Sequence, residues 1–179
     1  MALYFITGNK NKFSEAKAKI DNIEQLEINL PEIQDIDPHK IIKAKLIEAL
    51  NHKKGSFIVE DVSLNLECLN GLPGPFIKWF LMKIGHEGLV ELAEKLGNNN
   101  AEAKAIIGYA KSRTEIHFFE GSVKGKIVKP AGESAFGFDP VFKPESSGKT
   151  YAEMDIEEKN RISHRSLALN KLKEFLKQT

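Results

Sequence analysis

Leu3-Tyr4-Phe5-Ile6-Thr7-Gly8-Asn9-Lys10-Asn11-Lys12-Phe13 opens with an apolar run, passes through a turn and begins an amphipathic segment. Leu3 to Ile6 reads as a short buried strand. Phe13, Ala16 and Ile20 then share one face at helical spacing, which predicts a helix over Lys10 to Ile20. Gly8 permits the tight turn between the two. The alternation continues outward from this unit. Gln25 to Leu30 alternates like a strand. Asp37-Pro38 pairs an N-cap with proline at the first helical position and predicts a helix through roughly Leu50. Phe57-Ile58-Val59 is a strand that runs into Glu60-Asp61.

Gly71-Leu72-Pro73-Gly74 reads as a turn, and Pro75 opens a helix carrying Phe76, Trp79, Phe80 and Ile84. Leu89, Leu92, Ala93 and Leu96 form a second helical stripe, stopped at Gly97-Asn98-Asn99-Asn100. From Ala101 to Val128 the character changes: Ala105 to Tyr109, Ile116 to Phe119, then Val123 and Ile127 read as successive antiparallel strands. A loop rich in Gly and Pro follows. Ser163 caps a last helix with Ala168, Leu169, Leu172, Phe175 and Leu176 inside. Helix alternating with strand, then a strand-rich insert, then helix again is the pattern of an α/β protein with a mixed sheet. The 179 residues suit one domain, 1–179, in which roughly 71–128 forms a second lobe with a cleft beside it.

Lys and Arg total 26 against 25 Asp and Glu, a net charge of +1, which gives no support to nucleic-acid or membrane binding and makes any positive site a local one. Cys68 stands alone, so no internal disulfide forms and a reducing compartment fits. No apolar run is long enough to span a bilayer, the start lacks the basic leader of a secretory signal, and no Asn-x-Ser/Thr acceptor occurs. The expected location is the cytoplasm.

Thr7 to Lys12 lies between strand and helix, where free N–H donors and the charges of Lys10 and Lys12 make an anion site of the kind that holds phosphate. A helix N-cap with solvated lysines is the plainer reading. Glu32, Asp35 and Asp37 after the second strand, and Glu60-Asp61 at the end of the third, offer carboxylates to a divalent cation; exposed acidic turns are the alternative. Phe136-Gly137-Phe138-Asp139-Pro140 offers aromatic faces and a carboxylate on a turn, able to stack on a base or to sit as a buried β-turn. His164-Arg165 begins the last helix with Lys159 upstream. Positive charge there opposes the helix dipole, so a bound polar ligand explains Arg165 better than stability does; a solvent-facing cap is the other reading. Other sites fail. Gly148-Lys149-Thr150 has Lys143 where a P-loop needs its first glycine. The histidines at 39, 52, 86, 117 and 164 lack zinc spacing. Cys68 has no neighbour that marks a nucleophile.

Taken together, these segments resemble the inosine triphosphate pyrophosphatase family, nearly end to end and in order. The resemblance rests on Thr7-Gly8-Asn9 with Lys12, Leu30-Pro31-Glu32, Val59-Glu60-Asp61 and the run from Gly71 to Phe80. It continues through Phe136 to Pro140, Thr150 to Met154, Glu158-Lys159-Asn160 and Ser163-His164-Arg165. The Gly-Leu-Pro-Gly-Pro-Phe-Ile-Lys-Trp-Phe run looks like the form of the eukaryotic and archaeal branches. The resemblance implies a two-lobed α/β fold around a long mixed sheet flanked by helices, with a nucleotide cleft between the lobes, and a homodimer. It implies hydrolysis of ITP, dITP and XTP to the monophosphate and pyrophosphate by Mg²⁺-activated water, one or more ions being bound and Mn²⁺ able to substitute. Thr7, Gly8, Asn9, Lys10, Asn11 and Lys12 would bind the triphosphate, and Glu32 and Asp61 the metal, with Asp61 also helping to generate the attacking water. Lys45, Lys78 and Lys159 would contact the nucleotide, a one-residue shift near Asp35 to His39 exchanging Lys43 for Lys45. Phe136, Gly137, Phe138, Asp139, His164 and Arg165 would form the base pocket. The family's Ser or Thr after the Glu-Asp pair is here Val62.

Donors aimed at O6, such as those of His164 and Arg165, would separate a 6-oxo purine from adenine, whose amino group leaves them unpaired. Two rivals stand beside this reading: a nucleotide-binding regulatory module without turnover, and a related pyrophosphatase for modified pyrimidine nucleotides.

Overall fold

A computed structural model describes residues 2–134 and 136–178. The opening strand β1 (Leu3–Ile6) lies between β2 (Ile23–Leu26) and β3 (Ser56–Leu66) and runs parallel to both. Parallel neighbours need a crossover. Helix α1 (Lys10–Lys17) supplies it from β1 to β2, and α2 (Pro38–His52) from β2 to β3. The far part of β3 pairs antiparallel with the two-residue β4 (Pro73–Gly74). Helix α3 (Ile77–Lys95) is interrupted at Gly85, whose φ of 69° only glycine adopts readily, so its two apolar stripes belong to two segments. Strands β5 (Asn100–Ser112) and β6 (Glu115–Ile127) meet at Arg113-Thr114, and β7 (Phe142–Pro144) pairs antiparallel with β6. The strand order is β2-β1-β3-β5-β6-β7, with β4 on β3: the expected mixed sheet. Helices α4 (Ile156–Ile162) and α5 (His164–Lys177) follow. No helix among the described residues is long and apolar enough to cross a membrane.

Several boundaries differ from those read in the sequence. Helix α1 stops at Lys17, and β2 sits earlier than Gln25 to Leu30. Strand β3 continues to Leu66, past its charged pair. The region 101–128 is mostly two long strands joined at Arg113-Thr114, and Ser122, Lys124 and Lys126 take exposed pleat positions of the second rather than forming a further turn.

The chain forms two compact units. Unit 1 holds the chain through Asp61, then Ala105–Gly121 and the chain from Arg165 on; unit 2 holds Val62–Lys104 and Ser122–His164. In unit 1, Ile42, Leu46 and Ala49 of α2 pack on Phe57, Val59, Ile106 and Ala110. Gly108 makes that approach possible, because a Cβ there would lie 2.2 Å from Ile42 Cγ2 and 2.8 Å from Leu46 Cδ1. In unit 2, Leu64 and Leu66 pack with Leu89, Val90, Phe138, Phe142 and Tyr151, and Val62 rests against this cluster. Each large side chain so removed from water contributes about 1.5–3 kcal/mol.

Candidate active site

In unit 1 the chain leaves β1 through Thr7-Gly8-Asn9. Thr7 Oγ1 accepts from the Asn9 N–H at 3.1 Å, and Asn9 Oδ1 caps α1 by accepting from the Lys12 N–H at 3.1 Å. An α-helix cannot satisfy its own first-turn donors, and this cap takes up the Lys12 N–H, leaving those of Lys10 and Asn11 next to exposed Gly8 for a ligand or water.

Lys12 reaches from α1 to β3, where its Nζ lies 3.0 Å from Glu60 Oε1. The Glu60 side chain is 1% exposed and also accepts from Arg165, Nε at 2.7 Å and Nη2 at 3.1 Å. Arg165 Nη1 donates onward to Glu15 at 2.9 Å. Burial favours the neutral form of Glu60, but the Arg165 and Lys12 charges outweigh it and hold the carboxyl at about 2. Successive strand residues face opposite ways, so Asp61 meets different surroundings. Burial dominates there and, with Glu32 and Glu60 adding repulsion, outweighs Lys12 and Lys45 to push Asp61 up to about 6. Lys45 Nζ donates to Glu32 Oε1 at 2.5 Å, whereas Lys43 is exposed, which places Lys45 rather than Lys43 among these carboxylates.

Asp61 Oδ2 is buried without a hydrogen-bond partner. Such an oxygen is costly unless something offsets it. A hard divalent cation fits the donors, since Asp61 and Glu32 are both oxygen ligands. Among the described residues no group of three or more His, Cys, Asp or Glu is gathered for a metal, so most positions would fall to water and phosphate oxygens, as Mg²⁺ prefers.

Unit 2 carries the aromatic group. Buried Phe138 and Tyr151 flank the His164 ring at centroid distances of 5.6 and 5.7 Å. Lys159 Nζ donates to Asp139 Oδ2 at 2.5 Å and lies 5.1 Å from the centre of the Phe136 ring. The turn is fixed by the Asp139 N–H donating to Phe136 O at 3.1 Å and by His86 Nε2 lying 2.8 Å from Gly137 O.

The sequence-read residues therefore fall into two sets. Thr7 to Lys12, Glu32, Lys45, Asp61 and Arg165 lie in unit 1; Lys78, Phe136 to Asp139, Lys159 and His164 lie in unit 2. Lys78 is exposed on α3, its Nζ 5.5 Å from the centre of the Trp79 ring. The Arg165 charge at the start of α5 is matched by Glu60 and Glu15, partners distant in sequence. The sequence offers Glu60 as a carboxylate for a cation, whereas the structure pairs it with Lys12 and Arg165; Glu15, Tyr151 and His86 are given no role by the sequence. Glu15 was reachable, standing three positions after Lys12 and so on the same helix face.

Fold and site together define a class: an α/β protein with a mixed sheet and a lysine–carboxylate cluster chemically suited to phosphate and a divalent cation. The chain belongs to the Ham1 family, whose sequence pattern matches residues 3–175. It is 43% identical to an inosine triphosphate pyrophosphatase of Saccharomyces cerevisiae, covering 98% of this chain and 96% of that one. It is 42% identical to inosine triphosphate pyrophosphatase 2 of Trypanosoma cruzi, covering 94% and 88%. Its fold matches the Ham1 protein of Staphylococcus aureus with a TM-score of 0.83 at 26% identity over 98% of each chain. A HAM1 protein from Coxiella burnetii gives 0.87 at 24% identity, over 99% of this chain and 98% of that one. The resemblance carried by the sequence segments is thereby shown.

Proposed function

We propose that this protein is a hydrolase that cleaves ITP, dITP and XTP to the nucleoside monophosphate and pyrophosphate, with Mg²⁺ as its metal and Mn²⁺ able to substitute. The observation that carries this reading is Asp61: a carboxyl near neutrality, with one buried oxygen unpartnered, beside two lysines and a second carboxylate. The names of the relatives supply the substrate class.

Mg²⁺, held by Asp61 and Glu32, would supply positive charge against the α-phosphate and the departing pyrophosphate. The Thr7 to Lys12 turn binds the phosphates through its outward N–H groups and lysines. Lys12, anchored by Glu60, presents a fixed charge rather than a mobile one. Asp61, ionised above pH about 6, takes the proton of the attacking water. Lys45, paired here with Glu32, and Lys159, paired here with Asp139, would contact the nucleotide together with Lys78. Phe136 to Asp139, His164 and Arg165 receive the base, favouring a 6-oxo group over an amino group.

A substrate panel with product analysis tests this. ITP, dITP and XTP should give pyrophosphate with Mg²⁺ present, and ATP far less. Phosphate plus diphosphate as products, or comparable rates on ATP, would overturn the reading. Faster turnover of modified pyrimidine triphosphates would favour the second pyrophosphatase reading, and tight binding without turnover the regulatory module. The setting proposed is the cytoplasm, and the assembly a homodimer without nucleic-acid or membrane partners. The dimer rests on the family resemblance, with Trp79 and Met82, both exposed and one turn apart on α3, as apolar surface available to it.

A further inference from the structure

Unit 1 contains a cavity of about 400 Å³ away from the Thr7 turn, at the opposite end of β1. Leu3 and Ser56, the first residues of β1 and β3, form part of its wall. Its chemistry is two-sided. Leu3, Ile20 and Leu176 give it aliphatic surface, while Lys19, Lys173 and Lys177 bring three positive charges against the single negative charge of Asp21. Tyr109 and Ser56 add buried hydroxyls; Tyr109 donates to Ser56 Oγ over a long 3.4 Å, which leaves the Ser56 proton for another acceptor.

The lysines are poorly compensated. Lys177 pairs with Glu174 at 2.6 Å. Lys19 Nζ is met by a neutral group, Asn170 Oδ1, at 2.9 Å. Lys173 has no carboxylate partner among the described residues. Burial and the charge of Lys173 hold Lys19 below the usual lysine range, with Glu15 opposing. Lys173 and Lys177 also stand four apart on α5, a like-charge spacing that weakens a helix. Convergent like charge beside apolar surface and free hydroxyl capacity costs the fold something, and an anion with an apolar body removes that cost.

We propose that this cavity is a second ligand site, separate from the candidate active site, for a small phosphorylated molecule whose body is apolar or aromatic. The phosphate lies among Lys19, Lys173 and Lys177, the Ser56 hydroxyl donates to it, and the body rests on Leu3 and Leu176. This assignment does not depend on the activity proposed above.

The test is an NMR titration of the full chain with phenyl phosphate, read at Tyr109 and at the Leu176 methyl groups. Total heat is a poor readout because the Thr7 turn also suits phosphate. Both sets of signals should move with a dissociation constant of roughly 1 mM or tighter, weakening as salt is raised. The double variant Lys19→Gln, Lys173→Gln should bind roughly tenfold or more weakly, with turnover of ITP unchanged. Still signals at about 10 mM phenyl phosphate, equal affinity in the double variant, or an equal response to phenol would each overturn the assignment. Phenyl phosphate should also raise the melting temperature of the wild type more than that of the double variant; equal rises would count against it.

Discussion

Glu60 and Asp61 are covalent neighbours displaced in opposite directions from the ordinary carboxyl range. Glu60 is depressed to about 2, so its contribution to stability is full above its unfolded value of 4.5 and is lost as pH falls from there toward 2. Removing its charge leaves the buried Arg165 guanidinium with Glu15 but one carboxylate fewer, and half-buried Lys12 without its partner; Glu60→Gln should cost about 3–5 kcal/mol in urea unfolding at neutral pH. Asp61 has the other sign. Its carboxyl is raised from 3.8 to about 6, so the stability it lends in neutral form is lost as pH rises through that window, and at pH 7.5 its charge costs about 3 kcal/mol without metal. Asp61→Asn should therefore stabilise the protein in EDTA by up to that amount while lowering kcat at least about 100-fold. A variant that loses both stability and activity would contradict this. The rising limb of kcat against pH should fall at or below about 6, moving lower as Mg²⁺ approaches saturation. The sequence exposed Asp61 through a motif, but it could not separate the two carboxyls. Their difference comes from Arg165, 105 residues away in the chain.

At the scale of elements, β1, the turn and α1 were legible because a short apolar run gives way to a helical period across a single glycine. In the sequence strand β3 looks shorter than it is, because Glu60, Asp61, Ser63 and Asn65 resemble a strand ending. They continue it because ion pairs and burial absorb the polar groups, Ser63 itself being 3% exposed. Helix α4 lies in a stretch whose Gly and Pro content reads as loop, although Asp155 and Glu158 form a capping box at its start. Asp155→Ala should cost about 1 kcal/mol and expose the segment carrying Lys159 to faster amide exchange. The packing of α2 on β5 depends on Gly108, which reads in sequence as an unremarkable strand residue. Gly108→Ala must push Ile42 aside, and a loss of about 1–3 kcal/mol is expected in equilibrium unfolding.

For the whole molecule, a net charge of +1 coexists with concentrated local charge, and each lysine placed in the candidate site has a carboxylate or aromatic neighbour, or lies at the phosphate turn. Light scattering at micromolar concentration should give about twice the chain mass of 20.1 kDa if the proposed homodimer forms; the single-chain value would refute it. The mixed sheet could be inferred from the order of elements. The division into two cores could not be inferred in detail, because β3, β5, β6 and α5 each contribute residues to both units. That interleaving bears on birth at the ribosome. All of unit 2 has been synthesised once His164 is added, whereas unit 1, begun first, still lacks Arg165 and most of α5. A nascent chain halted there would leave Glu60 with Lys12 but without its guanidinium partner, so unit 1 is the last part of the protein able to close.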